Sequence, residues 1–467
     1  GVPDVALVEA AEDALLPTWR QGFAASRSAA GGQKSNAAAL RAVAPALQAA
    51  AARYVDASTQ ALLPTVTAKT LISETVAAVA PTTCSTAAVA ALDIETDGHA
   101  PITSKDNYVD AVLTLTASGQ PTYTAETQIR GRGNSTWGMP KKPYRLKIRK
   151  GQEASLLGMP ADRDWALLAN YADKTMLRNA VAFCMGNMLH MEYTPSQRYV
   201  ELTLNGSYQG LYQLTEHIKT AEHRVNIGYV DDELVDANAG FLLEIDGRYE
   251  EENFWFISSR GEPYVVKSDV SPGQLGVIAD LVNEMESVLF DDSLGEPLVE
   301  AAKHLDIESL VDLYLVNEFM RNNDAFWSST YVHRAPGGRL VFGPLWDFDI
   351  AAGNIDYNGN QATEGWWVRN QSPYMGRLLT HSAFRAHVAA RWAYLSAQLP
   401  RLAQFIDQSA ATLDEAQGRN FQKWDILGLY VWPNAVVTGS YDGEIAYLKN
   451  WLSDRANWMD GELIGAP

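Results

Sequence analysis

Ile129-Arg130-Gly131-Arg132-Gly133-Asn134-Ser135-Thr136-Trp137 is followed at once by Pro140-Lys141-Lys142-Pro143-Tyr144-Arg145-Leu146-Lys147. Alternating, β-branched residues precede this stretch and another alternating run closes it, so it reads as a glycine loop between two strands. Glycine lets backbone approach a ligand closely, and bare N–H groups can cradle phosphate. The arginines and lysines just beyond are placed to neutralise that phosphate. No helix follows the glycines, which excludes a dinucleotide fingerprint, and the Walker A pattern is missing. A plain hairpin with solvated cations is the competing reading.

Outward from the loop, strand patterns cover residues 88–96, 111–116, 122–129, 143–149 and 165–170. Residues 198–204 and 209–215 flank Asn205-Gly206, a hairpin signal. Residues 241–245 and 264–267 continue the sheet. A helical stripe runs through 173–190, and helical periodicity dominates 273–290, 297–303, 307–321, 382–413 and 441–459. A second hairpin, 330–334 and 340–342, turns at Pro336-Gly337-Gly338. Ahead of everything lies an Ala-rich stretch expected to be helical over 5–25, 36–63 and 66–80. The fold class is therefore α+β: a helical N-terminal region (1–87), a mainly β front part (88–270) and a mainly helical back part (271–467).

The chain has 467 residues and a formal charge of −19. An acidic surface opposes binding to nucleic acid or an anionic membrane. No apolar run reaches the roughly 18–20 residues of a membrane span. Two cysteines, Cys84 and Cys184, exclude a disulfide-rich scaffold and a Cys-rich zinc site. The eight histidines form no HExxH pattern, no Gly-x-Ser-x-Gly elbow occurs, and the Asp356–Glu364 region lacks the glycine of a calcium loop. Trp366-Trp367 is the one pair that suggests sugar binding; most other tryptophans fall at core spacing.

Two acidic clusters stand in the back part. Asn317-Glu318-Phe319-Met320-Arg321-Asn322-Asn323-Asp324 ends an apolar helix with more amides and acids than caps require. Leu345-Trp346-Asp347-Phe348-Asp349 follows the second hairpin, and its two carboxylates share one side if the segment is extended. Such a pair suits Mg²⁺. Cationic loop groups, two metal-holding aspartates and Asp324 as proton acceptor are the residue types that phosphoryl transfer needs.

Arg130 to Thr136, Lys141 to Lys147, Leu167-Leu168-Ala169-Asn170-Tyr171-Ala172-Asp173-Lys174, Asn205-Gly206-Ser207-Tyr208-Gln209-Gly210-Leu211-Tyr212 with Glu216, Arg224-Val225-Asn226-Ile227, and Trp346 to Asp349 together resemble the motifs of the CotH kinase family (spore coat protein H-like). The likeness covers roughly residues 90 to 400, in order. It implies an atypical protein-kinase-like two-lobe fold that uses ATP and Mg²⁺ (or Mn²⁺) to phosphorylate Ser or Thr of a secreted or envelope protein. By the same likeness Asp324 resembles the catalytic aspartate and Asp347 the metal aspartate, with Asp349 assisting. Arg130, Arg132, Lys142 and Lys147 are the cations expected at the nucleotide. Lys142 is the first choice for the phosphate lysine, with Lys141 and Lys147 open; Glu216 and Glu244 are expected on the inner wall. An extracellular or envelope location, with a leader removed, follows from the family's settings. One position departs from the kinase pattern: Ser329 stands five residues after Asp324, where an Asn metal ligand is usual. A non-catalytic surface or structural relative is the alternative.

Overall fold

Strict apolar–polar alternation builds the first strands. Ala90–Thr96 (β1) buries Leu92 and Ile94 and exposes Ala91, Asp93 and Glu95. Val109–Thr116 (β2) and Tyr123–Gly131 (β3) repeat the period. Tyr144–Ile148 (β4), Asp164–Leu168 (β5), Gln197–Leu204 (β6) and Ser207–Glu216 (β7) complete a closed barrel ordered β1-β2-β3-β4-β5-β7-β6. All neighbours are antiparallel except β1 and β6, whose parallel pairing closes the ring and leaves no edge for aggregation. Asn205 and Gly206, both at positive φ, turn β6 into β7 as the Asn-Gly signal requires. Leu92, Leu113, Ile129, Leu146, Trp165, Leu202 and Leu214 fill the barrel interior.

This computed structural model describes residues 84–228, 240–294 and 297–465. The helices expected over 5–80 lie outside the described residues. Among the described residues no helix is long and apolar enough to cross a membrane.

A second sheet, ordered β12-β11-β8-β10-β9, joins Phe241–Ile245 (β8), Trp255–Ile257 (β9) and Pro263–Val266 (β10) to the later hairpin Thr330–Arg334 (β11) and Val341–Phe342 (β12). The β and helical stretches are thus interleaved: β11 pairs with β8 across an intervening stretch that carries both β9 and β10 and three helices. Conversely Arg178–Met188 (α1) leaves the front part to pack in the larger core with the helices. That core takes in Pro272–Leu289 (α2), Pro297–Ala301 (α3) and Ile307–Phe319 (α4). Two short helices follow, Val368–Gln371 (α5) and Pro373–Leu378 (α6). The helix expected over 382–413 is two, Ser382–Ser396 (α7) and Leu399–Lys423 (α8), because Pro400 lacks an N–H and is accommodated only in a first turn. Tyr441–Leu463 (α9) closes the fold. Cys84 and Cys184 form a disulfide that pins the segment before β1 to α1.

Candidate active site

The loop after α4 carries Asp324. Asn322 holds the helix end: its backbone N–H donates to Asn317 O and its amide to Asn317 Oδ1. The same amide reaches Asp347 O at 3.3 Å, which ties the two acidic clusters together. Asn323 donates to Asp324 Oδ1 at 2.9 Å. Burial pushes the Asp324 carboxyl above its usual range; the Asn323 bond pulls it back and the charge on Asp347 raises it further.

The Asp347–Asp349 segment is anchored by its aromatic residues. Trp346 is buried and stacks on Phe183 of α1 at 6.2 Å, while Phe348 is fully buried and its N–H donates to Asn179 Oδ1. Asp347 itself is exposed, at φ +66°. The expected extended geometry is therefore corrected: a left-handed residue followed by a turn, rather than the two-residue period of a strand, brings the carboxylates near each other. Beneath them, Asp173 and Arg178 form a fully buried ion pair at 2.6 Å, and the Arg178 guanidinium donates to Ala351 O and Ala352 O. Asn354 adds bonds to Asp349 O and Ala172 O.

Charge is concentrated here. Burial, then Asp347, Asp173 and Asp324, push Asp349 well above the usual carboxylate range. A carboxylate so placed is relieved by a cation. One cation in the same field is Arg132, from the glycine loop. Its guanidinium lies 5.4 Å over the Trp346 ring; burial lowers its pKa while Asp347, Tyr331 and Asp349 pull it back. Front loop and rear aspartates thus meet. Gly131 is glycine because a Cβ there would strike the Trp137 ring, and Gly133 because its φ is +81°. Ser329, at φ +55°, directs its hydroxyl to Asp347 Oδ2 at 3.4 Å. Its N–H donates to Glu244 Oε1 at 3.2 Å. Burial raises the Glu244 carboxyl to about 7, and Lys267, 3.1 Å away, opposes that rise.

The other expected residues stand elsewhere. Arg130 lies over the Tyr108 ring at 5.1 Å, on the wall with Arg145 and Arg132; burial and these three cations hold the nearby His217 well below its usual range. Lys142 donates to Trp137 O at 2.7 Å, and among the described residues no hydrogen bond or ion pair joins it to Asp324, Asp347 or Asp349. Lys141 is buried on Leu211 O and Asn420 Oδ1. Lys147 sits in β4 opposite Asp164. Glu216, buried at the end of β7, is paired with Arg224 at 2.6 Å and accepts from the Tyr193 hydroxyl and the Ser196 N–H. It borders a separate cavity of about 400 Å³. Sequence reasoning missed Lys267, Asn179 and the Asp173–Arg178 pair. A signal for the first existed: Glu244 is the one charge in the apolar strand Phe-Leu-Leu-Glu-Ile, and such a group needs a partner.

Among the described residues no three His, Cys, Asp or Glu side chains are grouped to enclose a metal by themselves. Mg²⁺ commonly takes one or two carboxylates and completes its shell with phosphate and water, so the hard oxygens of Asp347 and Asp349 fit that use.

No curated protein matches the chain. The family described as CotH kinase protein matches residues 129–459, beginning at the end of β3, so that β1, β2 and most of β3 complete the barrel from outside the matched region. The chain belongs to the CotH kinase protein family.

Proposed function

We propose that the protein is an atypical kinase that transfers the γ-phosphoryl group of ATP to Ser or Thr hydroxyls of a secreted or envelope protein. The observation that carries this reading is Arg132 set against Asp347 and Asp349, with Asp324 in the same field. Arg132, from the glycine loop, orients and neutralises phosphate. Asp347 and Asp349 would hold Mg²⁺ or Mn²⁺, which would supply charge neutralisation for the transferring group. Asp324 accepts the acceptor hydroxyl's proton; its raised pKa makes it a better base than an exposed carboxylate. A two-lobe arrangement would put the nucleotide between the barrel side and the helical side. The Cys84–Cys184 disulfide supports an oxidising compartment and hence export.

The test is incubation with labelled ATP, Mg²⁺ or Mn²⁺ and casein. Label should reach casein or the protein itself, and Asp324→Asn should lose it. Equal label in both proteins overturns the reading.

Ser329 favours a second reading, a non-catalytic surface or structural relative, since a hydroxyl binds metal less firmly than an amide carbonyl. On that reading ATP with Mg²⁺ leaves the melting temperature unchanged, whereas a nucleotide-binding protein gains stability by mass action.

A further inference from the structure

A chain of hydrogen bonds runs from Arg321 to Asp324 through two buried amides. Arg321 Nη2 donates to Asn360 Oδ1 at 3.1 Å, Asn360 Nδ2 to Asn323 Oδ1 at 3.1 Å, and Asn323 Nδ2 to Asp324 Oδ1 at 2.9 Å. Its direction is fixed from both ends. A guanidinium only donates and a carboxylate only accepts. Reversing either amide would set N–H against N–H at one joint and oxygen against oxygen at the other. Asn358 adds a second donor to Asn323 Oδ1 at 2.9 Å. Asn360 is fully buried and Asn323 nearly so, so a broken joint leaves an unsatisfied polar group.

The frame around the chain is equally tied. Arg321 also donates to Glu364 O and, at 3.3 Å, to Gly365 O. Gly365 O accepts in turn from Arg455 of α9, whose guanidinium is paired with Glu318 at 2.9 Å.

We propose that Arg321, Asn360 and Asn323 form a polarised positioning relay that holds Asp324 Oδ1 and leaves Oδ2 to meet the acceptor hydroxyl. This rests on the kinase reading above. The relay transmits the orienting pull of a cation that never touches the substrate, and successive bonds polarise one another.

Asn360→Asp tests it with a near-isosteric change. The new carboxylate still accepts from Arg321 but cannot donate to Asn323. Phosphoryl transfer from labelled ATP to casein, or to the protein itself, should fall about tenfold in kcat with KM for ATP close to wild type, read at a temperature where circular dichroism shows the variant folded. Asn323→Ala, one joint nearer, should fall further in kcat. Wild-type kcat in Asn360→Asp overturns the relay while leaving the kinase reading intact. Parallel losses in kcat and ATP affinity in the folded variant mark a merely structural role and also overturn it. No transfer by the wild type sinks the kinase reading, and the relay with it.

Discussion

The Ser329 hydroxyl lies 3.4 Å from Asp347 Oδ2, and Ser329 holds a φ of +55°. Left-handed backbone costs most residues about 1–2 kcal/mol but suits Asn, whose short amide bonds locally. Ser329→Asn should therefore fold as well as the wild type or gain up to about 1 kcal/mol. It also offers an amide carbonyl where the hydroxyl now points. The Mg²⁺ concentration giving half-maximal transfer should fall several-fold. Titrating transfer against Mg²⁺ measures this, and an unchanged midpoint in a well-folded variant removes Ser329 from the metal's surroundings.

Asp349 is ionised at a cost, because burial and three neighbouring aspartates disfavour its charge. Its folded pKa is raised, so stability is full below the unfolded carboxylate range and declines as pH rises through the folded value. Asp349→Asn removes that decline. At pH 8 without metal the variant should melt above the wild type, and its response to Mg²⁺ should be mostly lost. A variant that melts lower while still responding to Mg²⁺ contradicts the site.

Arg132 and Lys142 separate two accounts of phosphate binding. Arg132 shares the field of Asp347 and Asp349, whereas the Lys142 ammonium is bonded to Trp137 O. Losing a charged hydrogen bond to a ligand costs about 1.5–3 kcal/mol, roughly ten- to a hundredfold in affinity. Arg132→Met should raise KM for ATP by about that much; Lys142→Met should change it less than about threefold. The reverse ranking in steady-state kinetics would return the role to Lys142.

The barrel was legible because its period is local. Alternation marked β1 to β3, and Asn205-Gly206 fixed the β6–β7 turn. The rear aspartates were legible as a density of acids beside buried aromatics. What the sequence withheld was long range. Nothing local states that β11 pairs with β8, which sets Ser329 against Glu244. Nor does spacing announce the left-handed Asp347, since a single positive φ breaks the two-residue period that made an extended segment attractive. Among several cations of similar appearance, only the folded path of the loop sets Arg132 over the Trp346 ring and Lys142 against Trp137 O.

Asp173 and Arg178 make a pair with no solvent exposure, and the guanidinium carries the backbone behind Asp349. Removing one partner of such a pair leaves an uncompensated buried charge, at about 3–5 kcal/mol. Asp173→Asn should destabilise by that order in chemical denaturation and slow transfer beyond what the lost stability explains at a temperature where the variant is folded. A loss under about 1 kcal/mol would mean that Arg178 finds another counter-charge.

Glu244 gives the fold its own pH dependence. Its carboxyl rises from 4.5 to about 7, chiefly by burial, against the pull of Lys267. Between these values the folded chain keeps a proton that the unfolded chain has released. Stability from this group is therefore full below about pH 4.5 and falls as pH rises towards 7, by at most about 1.4 kcal/mol per unit. Gln at this position cannot ionise but still accepts the Ser329 N–H, and Lys267 keeps Glu252 at 2.8 Å. Denaturation midpoints at pH 5, 6, 7 and 8 should thus decline less steeply in Glu244→Gln than in the wild type, with the curves closest at pH 5. Parallel curves would show that Glu244 is ionised throughout, held by Lys267 more firmly than its burial allows.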